Sequence, residues 1–196
     1  MQGRTHRMGG VAFTLVGFEY MRQKGLLLDD IHPILQLGVM YPISYWASAF
    51  PDLDHHWDSV PNKTPMNRVV HFLLHLTRPK HRSWQTHSVL VTGGFMFLLY
   101  VLAFHTEMSV LSHYDKVIVQ LLVMGFIMGL SSHLFLDFIN PSGIHIIPNL
   151  KMRLVPRTKF FATGGTWENR VIYPLLSIVS YGMIVWLLWN MIKGGL

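Results

Sequence analysis

The sequence predicts an all-α fold: a polytopic membrane helical bundle of four to five transmembrane helices. Hydrophobic residues make up 51% of the 196-residue chain and charged residues only 13%, which is too apolar for an ordinary soluble domain. A chain of this length predicts one domain, covering residues 1–196. The chain has no cysteine, so disulfides and thiolate metal sites are excluded.

Five apolar segments account for the predicted crossings. Residues 88–104, 116–138 and 171–192 approach or exceed the length of about 20 apolar residues that a crossing requires. Segment 31–50 is long enough but contains Pro33 and Pro42, which neighbouring helices in a membrane can accommodate. Segment 8–21 is short and carries Glu19, so it is either a tilted crossing or an embedded half-span, and we expect a crossing. No small-residue cleavage site follows its basic start, so we expect this segment to be retained.

The basic residues predict the orientation of the helices. With five crossings, residues 1–7, 51–87 and 138–170 share one side, and residues 22–30, 105–115 and the C-terminal end share the other. The first side holds twelve of the sixteen lysines and arginines, which assigns it to the cytoplasm by the positive-inside rule. The net charge of +6 is therefore attributed to the membrane and its anionic lipids. No nucleic-acid partner is expected, and no glycine-rich phosphate loop follows a strand.

Histidines and carboxylates collect on that same side. The chain has twelve histidines against ten acidic residues, and the candidates lie at alternating helix starts and ends, which meet at one membrane face. Residues from five places in the chain contribute: His6; Asp52, Asp54 and His55; His81 and His87; His133 and Asp137; Glu168. This predicts a metal site of imidazole and carboxylate ligands on the cytoplasmic face.

Two of these groups have a spacing that suits metal binding. His133 and Asp137 are four residues apart, which places them one turn apart on one helix face. By itself this pair also fits a histidine hydrogen-bonded to a carboxylate, but polar groups within an apolar run are costly unless they are paired or functional. Asp52, Asp54 and His55 follow Pro51 at a helix end, where a solvated acidic loop is the alternative.

The segment 81–88 combines two imidazoles with an arginine and hydroxyl groups. His81 and His87 are candidate ligands, and Arg82 is the candidate for contact with an anionic phosphate oxygen.

These motifs together resemble the LexA-regulated, membrane-bound metal-dependent hydrolase family of bacteria and archaea. The resemblance covers nearly the whole chain, and its most specific part is the His-Arg-x-x-x-Thr-His-Ser string at residues 81–88. That family is itself similar to the zinc-dependent phospholipase C and single-strand nuclease superfamily. The resemblance implies a location in the cytoplasmic (inner) membrane. It also implies that the metal ligands are His6, Asp52, His87, His133 and Asp137, with His81, Asp54, His55 and Glu168 as further ligands or groups that contact them.

One departure from the superfamily affects the expected number of ions. Its second helical His-x-x-x-Glu pair has no counterpart, because Gly164 stands four residues before Glu168. We therefore expect one or two ions, most simply Zn²⁺, although Mn²⁺ and Mg²⁺ also suit carboxylate-rich ligand sets.

The expected reaction is hydrolysis of a phosphoester by metal-activated water. The ion would lower the pKa of a bound water, Arg82 would stabilise charge on the phosphoryl oxygens, and Asp54 or Glu168 would act as general base. A site in the bilayer surface ringed by basic residues favours an anionic lipid or lipid phosphate as substrate.

Two other functions would use similar residues. A metal-ion or proton transporter predicts ligands near the bilayer midplane. A non-catalytic membrane protein with a structural metal site predicts that loss of a ligand unfolds the protein.

Overall fold

The computed structural model describes residues 2–29, 31–54, 64–76, 84–107 and 111–193. In this part of the chain the fold is mainly helical, as the sequence predicts. A 3-10 turn at Pro51–Asp54 follows α2, and a π-helical turn at Glu168–Ile172 leads directly into α6. The α-helices are α1 (Gly3–Gln23), α2 (Pro33–Ala47), α3 (Pro65–Leu76), α4 (Val89–His105), α5 (His113–Phe138) and α6 (Tyr173–Ile192).

The core of the protein is the interface of α1, α2 and α5. Leu15, Phe18, Met40 and Leu121 are at most 2% exposed and belong to one apolar cluster. Polar contacts also join these helices, since the Ser44 hydroxyl donates to the Gly10 carbonyl over 3.0 Å. The helices that carry the candidate site therefore pack directly on one another.

Two glycines of α5 allow α2 to lie very close. A Cβ at Gly125 would stand 2.5 Å from the Met40 carbonyl oxygen, and one at Gly129 would stand 2.5 Å from the Ser44 carbonyl oxygen. Real side chains do not tolerate such distances. Glycine at these positions thus sets the separation and the rotation of α5 against α2.

Two helical segments are long and apolar enough to cross a membrane. They are α5, with 26 residues, and the continuous stretch Glu168–Ile192, with 25 residues. The helix α4 is apolar but has 17 residues. Side chains on α4 and α6 such as Phe97, Ile178 and Val185 are 66–69% exposed, and outward apolar surface of this extent fits contact with lipid.

Length and apolarity thus support two of the four to five predicted crossings among the described residues. The helix α2 has 15 residues, fewer than a full crossing needs. The helix α1 has 21 residues but is interrupted by charged residues. One of them, Glu19, accepts hydrogen bonds from Arg22, Gln23 and Trp186.

The helix α1 begins earlier than expected. The sequence predicted an apolar segment from residue 8, with His6 before it, whereas α1 begins at Gly3 and includes His6. The reason is tertiary: Glu168 accepts a hydrogen bond from the Gln2 backbone N–H, and Arg4 donates to Asn169 over 2.6 Å. These contacts hold the polar first turn of α1 in place.

The structure also contains a short antiparallel hairpin that an all-α prediction omits. Its strands are β1 (Ile144–Ile147) and β2 (Leu150–Met152), and its turn places Asn149 in the left-handed region at φ 71°. The hairpin packs against the start of α4, because His145 donates its backbone N–H to the His87 carbonyl over 3.0 Å.

Candidate metal centre

Five of the predicted ligands meet at one end of the helix bundle. His6 lies in the first turns of α1, Asp52 in the 3-10 turn after α2, His87 just before α4, and His133 and Asp137 near the end of α5. The side chains of His6, His133 and Asp137 are fully buried, that of His87 is 2% exposed and that of Asp52 is 18% exposed. The alternation of helix starts and ends noted in the sequence therefore corresponds to a real convergence of side chains.

The two carboxylates lie among the three imidazoles at close to ligand–ligand spacing. The Nε2 atoms of His6, His87 and His133 lie 3.5, 3.6 and 3.4 Å from carboxylate oxygens of Asp137. The same three atoms lie 3.9, 3.5 and 3.9 Å from oxygens of Asp52. Nitrogen and oxygen ligands at their usual distance from a tetrahedral zinc ion are about 3.3 Å apart. The donor spacing is thus slightly wider than the one a bound ion would impose.

Two of the imidazoles are oriented by their other ring nitrogen. His133 Nδ1 lies 2.7 Å from the Ser48 carbonyl oxygen, and His87 Nδ1 lies 2.9 Å from the Thr86 hydroxyl. The His6 ring stacks on the His133 ring with centroids 3.9 Å apart. Metal-binding histidines in proteins commonly have such a partner at the nitrogen that does not face the metal.

The donor set fits a divalent cation. Two overlapping groups, His6–His133–Asp137 and Asp52–His87–His133, each offer ligand atoms within 4.8 Å of one another. In the described part of the chain, Nε2 of His6 and Nε2 of His133 are buried without a hydrogen-bond partner, which is costly unless a ligand satisfies them. A divalent ion would bind these nitrogens and offset the charge of the two carboxylates.

Asp52 is the most accessible member of the cluster. Burial by itself would raise the pKa of its carboxyl group, but interaction with His133, His87 and His6 outweighs burial and holds this pKa well below its usual range. Asp52 is therefore ionised at neutral pH and is available as an anionic ligand.

Backbone contacts fix the loop that carries His87. Besides the bond from His145 to the His87 carbonyl, the Ser88 hydroxyl accepts from the Val91 backbone N–H over 3.2 Å and so caps α4. The hairpin, the loop and the first turn of α4 thus form one hydrogen-bonded unit beside the cluster.

Glu168 is buried against the start of α1. It is 1% exposed, and its two carboxylate oxygens accept backbone N–H groups of Gln2 and Gly164 over 2.5 and 2.7 Å. Gly164 has φ 71° and lies against the Gln2 side chain. This arrangement favours a role in holding the start of α1, and with it His6. The base role predicted for Glu168 is untested.

Other predicted site residues lie outside what the structure describes. These are His55, His81 and Arg82, together with the side chain of Asp54, whose backbone belongs to the 3-10 turn at Pro51–Asp54. Their predicted roles stay predictions.

A basin lined by two basic residues follows the end of α5 and was not predicted from the sequence. It has a volume of about 470 Å³ and is lined by Lys151 and Arg157 together with Asn140, Ser142 and Thr163. Asn140 in its wall is three residues after Asp137, and the Asn140 backbone N–H donates to the Asp137 backbone carbonyl over 3.1 Å. The sequence showed these two cations only as part of a basic loop.

The apolar helices and the buried cluster define the class: a helical membrane protein with a histidine–aspartate centre at one end of its helices. The chain belongs to the YdjM inner membrane protein family, whose family model matches residues 1–193. This match agrees with the LexA-regulated membrane family that the motifs resemble, whereas the further likeness to the phospholipase C and nuclease superfamily finds no support. No curated protein and no solved structure matches the chain.

Proposed function

We propose that this protein is a membrane-embedded metal-dependent hydrolase that cleaves a phosphoester of an anionic amphiphile. The observation that carries the proposal is the convergence of three imidazoles and two carboxylates from four separate parts of the fold. The imidazole Nε2 atoms lie 3.4–3.9 Å from the carboxylate oxygens, and the Nε2 atoms of His6 and His133 lack hydrogen-bond partners in the described chain. A set of this kind is typical of Zn²⁺ or Mn²⁺ sites, and two overlapping groups suit one or two ions.

The residues of the site have different proposed roles. A bound divalent ion would supply Lewis acidity, which acidifies water and offsets phosphoryl charge. His6, His87, His133 and Asp137 would hold it from the buried side. Asp52 faces the accessible side and would border the space where water and substrate enter. Asp54 stays the proposed general base, and Arg82 stays the proposed phosphate contact.

The charge around the cluster supports an anionic substrate. Lys151 and Arg157 line the basin whose wall includes Asn140, three residues after Asp137, and such cations would bind a phosphorylated headgroup. The apolar outer surface of α4 and α6 would keep the protein in the bilayer, so a lipid or lipid phosphate could reach the site without leaving the membrane.

The proposed topology has four to five crossings with the site facing the cytoplasm. The count of basic residues on the site's side supports this orientation. Crossings by α1 and α2 would depend on their packing against α5, because both are less suited than α5 to cross alone. A location near helix ends fits a hydrolase at the membrane surface better than a transporter with ligands at the midplane.

The test is metal content per chain, measured by elemental analysis on detergent-purified protein. The parent should hold about one or two zinc or manganese ions, while His133→Ala and Asp52→Ala should lose them and stay folded. His105→Ala is the matched control, because His105 is exposed at the far end of α4 and its loss should leave the metal content unchanged.

Hydrolysis is then assayed with phospholipids and lipid phosphates in mixed micelles. Activity that follows metal content across these variants supports the proposal. A protein that binds metal, hydrolyses no phosphoester and unfolds when any ligand is replaced would instead have a structural metal. A protein that neither contains metal nor binds added metal would refute the metal site itself.

A further inference from the structure

An apolar cavity begins beside the metal centre and continues along α4. Its volume is about 230 Å³, and it is partly open, since Val91 and Phe95 in its wall are 36% and 42% exposed. Two of its lining residues, Pro51 and Thr86, directly precede the cluster residues Asp52 and His87. At two separate points of the chain, a residue of the cavity wall is thus the sequence neighbour of a cluster residue.

The cavity extends from the level of the site along α4. Pro51 and Thr86 line it beside the cluster residues, and Val91 and Phe95 line it further along the helix. Phe95 is six residues beyond the start of α4 at Val89, which is about 9 Å along a helix axis. One end of the cavity therefore lies at the level of the site, and the other lies deeper along the helix.

The hydroxyl groups in the wall are used within the protein. Thr86 pairs with His87 Nδ1, and Thr92 donates to the Thr86 carbonyl over 3.3 Å. Phe50 and Phe95 each contact Phe126 edge-on, with their ring centroids 5.4 and 6.1 Å from that of Phe126. A wall of aromatic rings and internally bonded threonines offers water little to bind and suits hydrocarbon.

The geometry points to this cavity as the binding site for one hydrocarbon chain of the substrate, with the phosphoester at the metal centre. This assignment rests on the proposed function for its substrate, and it makes that substrate a lipid recognised by its chain as well as its headgroup. A free phosphate or a water-soluble phosphoester would leave the cavity unfilled. Each methylene group buried there should raise affinity about fourfold.

The test uses a probe that needs no catalysis: an alkyl phosphate with a diazirine at the end of its chain, added to the protein in phosphatidylcholine nanodiscs. After illumination, mass spectrometry maps the labelled residues. Saturable labelling should fall on Phe50 and on 91–95, and Val91→Trp, which fills the cavity, should reduce it roughly tenfold. Leu90→Trp is the matched control, because Leu90 is 60% exposed on the same helix and does not line the cavity.

Folding of the variants is checked by metal content and thermal unfolding, and Val91→Phe replaces Val91→Trp if the larger residue disrupts the fold. Labelling spread evenly over α4 and α6, unchanged in either Val91 variant, would overturn the assignment. Site-specific labelling without any hydrolysis would support the hydrocarbon-binding site and refute the proposed hydrolase activity. Hydrolysis that does not depend on the length of the substrate's hydrocarbon chain, in the parent or in the Val91 variants, would support the hydrolase activity and refute the hydrocarbon-binding site.

Discussion

At the residue scale, the cluster depends on groups that hold the histidines as much as on the ligands. Ser48 and Thr86 contact the ring nitrogens of His133 and His87 that face away from the carboxylates. The Ser48 partner is a backbone carbonyl and cannot be removed by substitution. The Thr86 partner is a side-chain hydroxyl, and its role can be tested by substitution.

Thr86→Val should weaken metal binding by roughly 10- to 100-fold, as loss of such partners does in other metal sites. The change removes the hydroxyl beside His87 Nδ1 and keeps the size of the side chain. Thr86→Ser retains the hydroxyl and should bind metal almost as the parent does. Competition with a chelator of known affinity measures the effect, and equal affinity in the two variants would show that Thr86 does not orient His87.

Glu168→Gln separates the two roles considered for this carboxylate. Because both oxygens accept backbone N–H groups, replacing one oxygen by an NH₂ group should cost about 1–3 kcal/mol of stability. Metal content should persist, and the remaining activity should fall only in proportion to the folded fraction. Thermal unfolding and activity per folded molecule are the measurements. A stable, metal-loaded and inactive variant would restore Glu168 as the general base.

At the element scale, the contact between α2 and α5 positions the centre. The 3-10 turn with Asp52 follows α2, whereas His133 and Asp137 belong to α5. Gly129 lies against Ser44 and Ser48 of the α2 end, and Ser48 also supplies the carbonyl beside His133. A small change in helix separation here should therefore move the candidate ligands relative to one another.

Gly129→Ala should destabilise the protein by about 1–3 kcal/mol, because its Cβ forces α2 and α5 apart. It should also weaken metal binding, since the Ser48 carbonyl moves with α2. Gly94→Ala on α4 is the control, because a Cβ there meets nothing within 4 Å and alanine favours a helix. Thermal unfolding and metal titration should distinguish the two variants; equal behaviour would mean that this packing does not support the site.

At the scale of the whole molecule, the open question is which side of the membrane the centre faces. The absence of cysteine gives a clean background for single-cysteine labelling. Lys24, after α1, and Lys151, in the hairpin, are both exposed, and the proposed topology puts them on opposite sides.

With an impermeant maleimide, Lys24→Cys should be labelled in intact cells and Lys151→Cys only in inside-out vesicles. The physical reason is the excess of basic residues on the Lys151 side, which is retained in the cytoplasm. Labelling of both positions from the same side would require a different number of crossings. Labelling in the reverse pattern would place the metal centre outside the cytoplasm.

The sequence by itself determined the helical class, the approximate helix positions and the end of the helix bundle at which five of the candidate ligands gather. Apolar runs of sufficient length have few other structures available, because every backbone polar group in lipid must be bonded within the chain. The alternation of helix starts and ends then brought residues as distant as His6 and Asp137 to one level. Composition also excluded thiolate ligands.

Only the tertiary structure decided which candidates meet and which do not. The level of a residue along the bundle follows from the sequence, but the direction of its side chain depends on helix rotation, which the close approach at Gly125 and Gly129 sets. The same packing brings Ser48 to His133 and the hairpin to His87, and it turns Glu168 towards backbone N–H groups. The cavity along α4 is likewise formed by residues from three parts of the chain, so no local pattern could indicate it.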